Sequence, residues 1–578
     1  MAITIGNRKI STSLQLTLSF VLVAFIGSLV LSLPIFHQPS TDVGYFDHLL
    51  TAISLVCVSG MAALPIAETY NLAGQVVALL LIQVGGLGVI TILNVGIFYL
   101  NRRLSLQDQY LLQQSLSRDT NRNLMDFLLS IYKFTISAEF IGALIIMYDF
   151  VPRFGFARGA FNALFLSISS FSNSGFHNLY TDSLEGFYNN PLILLTVSFL
   201  VISGGIGFSV RFELSERVGK YIKSRPRSLK LAFQHLSVHT RIVLGFSAAI
   251  IALGTVLFLV AEWSNPNSIG DMSPGLKLLN AFFNTTNTRT AGYTSVNYYE
   301  LNPFTKLSSM VQTIIGGAPG GTAGGIGFSV WFELSERVGK YIKSRPRSLK
   351  LAFQHLSVHT RIVLVFSAAI IALGTVLFLA AEWSNPNSIG NMSPGLKLLN
   401  AFFNTTNTRT AGYTSVNYFE LNPFTKLSSM VQTIIGGAPG GTAGGIKVTS
   451  FAILVLLFKS EVQSYDHVVA FKRIIPSRLV KQAVIIVLFF VILLFVGYGA
   501  ILLTHPHLDS LDILFETANA LGSAGISFNT IDYLNPFGVS IMVVLMIAGR
   551  VGPITLLLGI LQRRNREIHY AETNIFLG

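Results

Sequence analysis

Long and short apolar runs alternate along this chain in a fixed order. Runs long enough to cross a bilayer, which takes about 20 apolar residues, recur at 14–36, 72–100, 124–150, 191–213, 241–262, 303–330, 361–382, 423–458, 478–504 and 535–562. Between alternate pairs lie shorter apolar stretches that end in glycine, at 45–60, 157–175, 274–292, 394–412 and 508–525. These are too short to cross, so the pattern predicts re-entrant helices that dip into the membrane and return. The order long, short-plus-glycine, long divides the chain into five units, 1–105, 106–215, 216–335, 336–460 and 461–578. Leu14–Phe36 follows Arg8 and Lys9 without a small-x-small cleavage site behind it, and reads as the first membrane helix rather than a cleaved signal.

Composition agrees with a bilayer as the solvent. Charged residues make up 12% of the chain and apolar residues 51%, against roughly 25% charged in an ordinary soluble protein, and the mean hydropathy is +0.58. The net charge of +13 does not point to nucleic acid, because the Lys and Arg sit between the spans. They gather after each second long run, at Arg102 and Arg103, from Arg217 to Lys230, at Lys472 and Arg473, and from Arg563 to Arg566. Segments around the short helices carry Asp42, Asp47, Glu68, Asp182, Glu185, Glu262 and Asp512 instead. By the positive-inside rule both termini and the basic segments are cytoplasmic, and the glycine-ended loops open outward. The single cysteine, Cys57, leaves no intramolecular disulfide and no thiolate cluster.

One repeat differs from the rest. Residues 207–326 and 327–446 are tandem copies that differ only at Arg211/Trp331, Gly245/Val365, Val260/Ala380, Asp271/Asn391 and Tyr299/Phe419. Gly-Gly-Ile stands before each copy, at 204–206 and 324–326, which suggests unequal recombination between similar glycine-rich segments. The third unit is therefore present twice, and the last helix of its first copy is a hybrid.

The short stretches end in Val58-Ser59-Gly60, Asn173-Ser174-Gly175, Thr290-Ala291-Gly292, Thr410-Ala411-Gly412 and Ser523-Ala524-Gly525. Conduction needs backbone carbonyls that replace an ion's hydration shell. Glycine permits the backbone angles that aim successive carbonyls alike, and the negative C-terminal end of each half-helix favours a cation. A glycine after one apolar helix is usually a cap; the same placement in every unit marks a selectivity filter. A second motif interrupts the span 423–458: Gly436, Gly437, Pro439, Gly440, Gly441, Gly444 and Gly445 do not hold a helix well. Non-helical backbone at that depth must line protein or a water-filled cavity, so the segment is a candidate gate. It lacks the Gly-Lys-Ser/Thr ending of a phosphate loop.

Arg550 lies mid-span and faces water or a partner rather than lipid. It either opposes cations at the gate or hydrogen-bonds loop carbonyls. Arg289 and Arg409 are read as braces behind the filter, Lys447 as an interfacial anchor, and His177, His235 and His355 show no ligand spacing. Nothing resembles a nucleophile–base pair or a Walker lysine, so no enzyme or primary pump is expected.

The filter segments resemble the four of the Trk/Ktr/HKT superfamily of potassium transporters, and the chain is most similar to the bacterial Ktr-type membrane subunit. Gln83-Val84-Gly85-Gly86-Leu87-Gly88, Gly549-Arg550-Val551-Gly552-Pro553 and the terminal Leu577-Gly578 add to the likeness. The resemblance implies an all-α polytopic membrane protein, with repeated helix–pore loop–helix units around a pseudo-fourfold cation pore. It also implies K⁺ in the filter, since each filter keeps its glycine, with Na⁺ as coupled or required second ion. The gate becomes the intramembrane loop with Arg550 beside it. The implied setting is the bacterial plasma membrane, as a homodimer on a cytosolic nucleotide-binding regulatory subunit, with no cofactor in the chain itself. The competing reading is a duplicated, non-conducting platform that only docks the regulator. Within a fourfold pore the second copy, which keeps the native run into Lys447-Val448-Thr449, is expected to complete the ring, and the first to be displaced to a subunit interface.

Overall fold

The computed structural model describes residues 4–5, 8–9, 12–39, 43–57, 64–87, 124–179, 183–207, 210–215, 236–288, 291–315, 356–408, 416–437, 445–522 and 533–551. The chain is all-α apart from two short hairpins, Thr4–Ile5 with Arg8–Lys9 and Val469–Ala470 with Arg473–Ile474. The first unit contributes α1 (Thr12–Leu31), α2 (Tyr45–Cys57) and α3 (Leu72–Leu87). The second contributes α4 (Leu124–Phe154), α5 (Phe156–Phe171) and α6 (Pro191–Gly205). The first copy of the third unit holds α7 (Val238–Glu262), α8 (Pro274–Asn287) and α9 (Pro303–Ile315). The second copy holds α10 (Val358–Glu382), α11 (Pro394–Asn407), α12 (Pro423–Ile434) and α13 (Val448–Val462). The fourth unit ends the bundle with α14 (Ser477–Thr504), α15 (Ser510–Gly522) and α16 (Pro536–Val551).

Local sequence explains the starts and stops. Proline occupies the first turn of α6, α8, α11 and α12, where its missing N–H costs nothing. Asn190, Ser237 and Asn422 accept from the first-turn N–H groups of Ile193, Thr240 and Phe424, satisfying donors that would otherwise be orphaned. Each short helix stops just before its glycine motif. Among the described residues, Leu129–Phe154, Val243–Glu262, Val358–Glu382 and Ser477–Thr504 are long and apolar enough to cross a membrane. Their outer faces expose Phe140, Leu144, Val256, Val260, Leu373 and Leu488, an apolar belt that suits lipid and not water.

The units join in series. The closing helix of each packs on the short helix of the next: α3 on α5, α6 on α8, α9 on α11 and α12 on α15. Finally α16 returns to α2, so the ring closes with five members. The all-α, multi-pass architecture is as expected; the fourfold count and the displaced first copy are not. The physical reason is that a duplicated wedge carries both of its flanks. The face of α12 that meets α15, sealed by the Lys426–Asp512 ion pair at 2.8 Å, has its identical sequence in α9, where it meets α11. On the other flank Asn280 of α8 donates to the Tyr188 carbonyl of the second unit at 2.8 Å. Serial, head-to-tail faces accept one more member without leaving an open edge.

A buried carboxylate ties each copy together at the C-terminal end of its first helix. Glu382 accepts from Asn385 Nδ2 at 2.7 Å, Ser388 Oγ at 2.5 Å, Asn422 N–H at 2.8 Å and Thr425 Oγ1 at 2.5 Å. Glu262 repeats the arrangement with Asn265, Ser268, Asn302 and Thr305. Glu382→Ala strands four neutral donors around a buried site, and is expected to cost about 1–3 kcal/mol. Thermal unfolding in detergent checks this: a transition unmoved from that of the unmutated protein would reject the latch.

Candidate ion pathway

The short helices bring polar side chains into the centre of an apolar bundle. In α8 the run Asn284, Thr285, Thr286, Asn287 is buried, and its counterpart in α11, Asn404 to Asn407, is buried too. Burying polar groups is costly unless they are hydrogen-bonded, and part of the run is: Thr286 Oγ1 donates to Phe282 O at 2.9 Å and Asn287 Nδ2 to Phe283 O at 2.9 Å. Asn284 holds the outgoing strand of its loop, donating to Ser295 Oγ at 2.9 Å and accepting from the Ser295 N–H at 3.3 Å. Other oxygens have no hydrogen-bond partner among the described residues, namely Asn173 Oδ1, Thr285 Oγ1, Asn287 Oδ1, Thr405 Oγ1 and Thr406 Oγ1. They sit at or just past the C-terminal ends of α5, α8 and α11, the negative poles of those helix dipoles.

The candidate filter segments of the second unit and of the first copy lie side by side. Gly175 and Gly292 both have left-handed backbone, with φ of 74° and 83°. A Cβ on Gly175 would stand 3.1 Å from Ala291 O, and one on Gly292 would stand 3.2 Å from Gly175 Cα. Tyr293 laces the two loops: its hydroxyl lies 2.6 Å from Ser169 Oγ and donates to Phe176 O at 3.0 Å. Outside them, the Leu184 N–H donates to Thr294 O at 3.0 Å and the Thr294 N–H to Ser183 Oγ at 2.9 Å. Asn173, Ser174, Gly175, Ala291 and Gly292 are thus brought together. Val58, Ser59, Gly60, Arg289, Thr290, Arg409, Thr410, Ala411, Gly412, Ser523, Ala524 and Gly525 lie outside the described residues.

The glycine-rich segment breaks its span as its composition requires. Helix α12 stops at Ile434 and α13 starts at Val448, after Lys447. Both ends of the break are pinned, with Ile446 N–H donating to Ile434 O at 2.8 Å and Val448 N–H to Gly437 O at 3.2 Å. Gly445 has φ of 76°, and a Cβ there would stand 2.7 Å from Ile434 O. Gly436, Gly437 and Gly445 therefore form the rims of this loop; Pro439, Gly440, Gly441 and Gly444 lie outside the described residues. Arg550 occupies the last turn of α16, its side chain beyond what is described. The preceding Gly549 lets α16 meet the end of α15, where a Cβ would fall 2.1 Å from Leu521 O.

Two ionisable residues escaped the sequence reading. The run 191–213 is not one span: α6 ends at Gly205, and the chain turns through Gly207 before a further helical stretch carrying Arg211. Arg211 is fully buried, donates to Gly204 O, and sets its guanidinium 5.0 Å from the centre of the Phe171 ring, at the end of α5. Glu139 is buried on α4 within electrostatic reach of it and accepts from Gln83 Nε2 of α3 at 2.9 Å. The rule that singles out Arg550, an ionisable group inside an apolar span, applies equally to both. Among the described residues no cluster of His, Cys, Asp or Glu has the makings of a metal site.

A family model described as cation transport protein, TrkH, matches residues 9–327 and again 323–565. The chain belongs to the TrkH cation transport family. The two matches of this TrkH-family chain meet at the seam between the copies, as a duplicated unit requires. The Ktr system potassium uptake protein B of Vibrio alginolyticus is 27% identical over 562 residues, covering 97% of this chain and 94% of its own. The protein of the same name from Bacillus subtilis is 25% identical over 97% of this chain and 96% of its own. The potassium/sodium uptake protein NtpJ of Enterococcus hirae is 33% identical over 308 residues, 53% of this chain and 64% of its own.

Proposed function

We propose that this chain conducts K⁺ through the glycine-ended loops at the centre of its ring. The observation that carries this reading is the pair of left-handed glycines, Gly175 and Gly292, in contact just past the ends of buried half-helices, where Asn173, Thr285 and Asn287 oxygens have no partner among the described residues. Such an axis offers oxygen ligands and negative helix ends, and no fixed anion strong enough to hold a monovalent cation permanently. The likeness to potassium uptake proteins over nearly the whole chain supports K⁺ as the ion, with Na⁺ as the second ion to test. Reconstitution in liposomes decides it. K⁺ flux above Na⁺ flux is expected; equal fluxes would reject the selectivity, and no flux of either would leave the docking-platform reading instead.

The remaining parts of the reading follow from it. The protein sits in the bacterial plasma membrane with its basic segments and both termini cytoplasmic, as a homodimer regulated by a separate nucleotide-binding subunit. The loop between α12 and α13 is the gate, and Arg550 opposes cations beside it. Shortening 438–444, or Arg550→Ala, is then expected to raise K⁺ flux several-fold without any regulator. Unchanged or lower flux in folded variants would place the barrier elsewhere.

A further inference from the structure

At the cytoplasmic end of the second copy, by the orientation its basic segments set, a cavity of about 680 Å³ opens between the start of α10, helix α13 and the hairpin before α14. Its walls combine two chemistries. Ile362, Ile453 and Leu479 supply apolar surface, and Arg361, Arg473 and His359 supply nitrogen donors, while no acidic residue among the described residues lines it. The cationic side is held firmly. Hairpin residues Ala470 and Arg473 pair across the turn, and Ala470 and Ile475 are buried in one cluster with Ile362 and Ala452. Arg361 stacks its guanidinium 4.7 Å from the centre of the Phe471 ring in the hairpin, and its Nε is buried without a hydrogen-bond partner among the described residues. Both α10 and α14 are long and apolar enough to cross a membrane, which puts the cavity at their first turns at the level of the headgroups.

We propose that this cavity binds the phosphodiester headgroup of an anionic phospholipid. Arg361 and Arg473 face the phosphate, and the first acyl carbons lie along Ile362, Ile453 and Leu479. Basic pockets between membrane helices on the cytoplasmic side favour anionic headgroups, and a guanidinium matches phosphate oxygens in a way an ammonium does not. The pocket belongs to one copy only. The identical start of α7 in the first copy is met instead by Glu213, which accepts from the Ser237 N–H and Oγ and from Thr240 Oγ1. The walls from Thr449 to Leu479 occur once in the chain. Arg241 therefore serves as an internal control for Arg361.

Native mass spectrometry of the full chain, given equimolar phosphatidylglycerol and phosphatidylcholine, tests the site. Retention of phosphatidylglycerol over phosphatidylcholine is expected, falling about tenfold in a monodisperse Arg361→Gln/Arg473→Gln variant and unchanged in Arg241→Gln. Equal retention of the two lipids, an unaffected double variant, or an equal loss in Arg241→Gln would each overturn the proposal. Inorganic phosphate at millimolar concentration is not expected to displace the lipid; displacement would assign the site to a soluble phosphate. None of these readings depends on ion flux, so the proposal stands or falls apart from the transport reading.

Discussion

Deleting residues 327–446 is expected to leave a chain of four units that inserts, folds, and separates K⁺ from Na⁺ about tenfold better than the full chain, a difference of about 1.4 kcal/mol. The junction it creates, Ile326 to Lys447, repeats the existing one between Ile446 and Lys447, since the preceding residues are identical in the two copies. Helix α9 would then meet α15 in place of α12, with Lys306 standing where Lys426 now pairs with Asp512 at 2.8 Å. No interface in the shorter ring is new in kind. The ring itself changes: at equal spacing between neighbours, a cycle of five has a radius roughly 20% larger than a cycle of four. Discrimination between K⁺ and Na⁺ depends on cavity size and on the number and field of the coordinating carbonyls, and a wider ring alters both. Parallel flux measurements on the two chains provide the check. An unchanged K⁺/Na⁺ ratio would mean that the fifth unit does not shape the ion path.

Gly175→Ala and Gly292→Ala are each expected to lower K⁺ flux or selectivity at least about tenfold. Left-handed backbone costs a residue with a side chain about 1–2 kcal/mol, and here the cost adds to a collision. The new methyl of Gly175→Ala would meet Ala291 O at 3.1 Å, and that of Gly292→Ala would meet Gly175 Cα at 3.2 Å. The neighbouring atoms are backbone of the facing loop, so relief comes only by moving the carbonyls of the proposed filter. Gly245→Ala is the matched control: a Cβ there meets nothing within 4 Å, and the second copy already carries Val365 at that place. Loss of function in the control as large as in the filter variants would count against a local effect.

Much of the helix framework around the candidate site was legible because its signals are local. The filter glycines follow short apolar runs, and each short helix ends within a few residues of the motif, from Cys57 before Val58 to Gly522 before Ser523. The break at Gly436–Gly445 was equally legible, since six glycines and a proline cannot sustain a span. The break at Gly204–Gly207 was not, because two glycines in an otherwise apolar run are compatible with an unbroken helix. Arg211 and Glu139 are hard to pick out for a related reason: they lie in different runs, 72 residues apart in sequence, and their proximity arises from packing between α4 and the segment after α6.

Sequence by itself determined the solvent, the all-α class, the number of units and where each half-helix ends. These follow from run length and composition, which act within one segment at a time. Tertiary structure alone decided how many units share one ring. Two identical copies have identical preferences, so no residue can say which belongs in the pore. The answer depends on whether the flank of α9 fits α11 as well as the flank of α12 fits α15. Both fit, because the duplicated wedge brings a matching face on each side and leaves no edge unpaired. The same logic separates Arg361 from Arg241, which share every neighbour in sequence over Ser357–Arg361 and Ser237–Arg241. Only the elements that follow the second copy place a cavity beside the first of them.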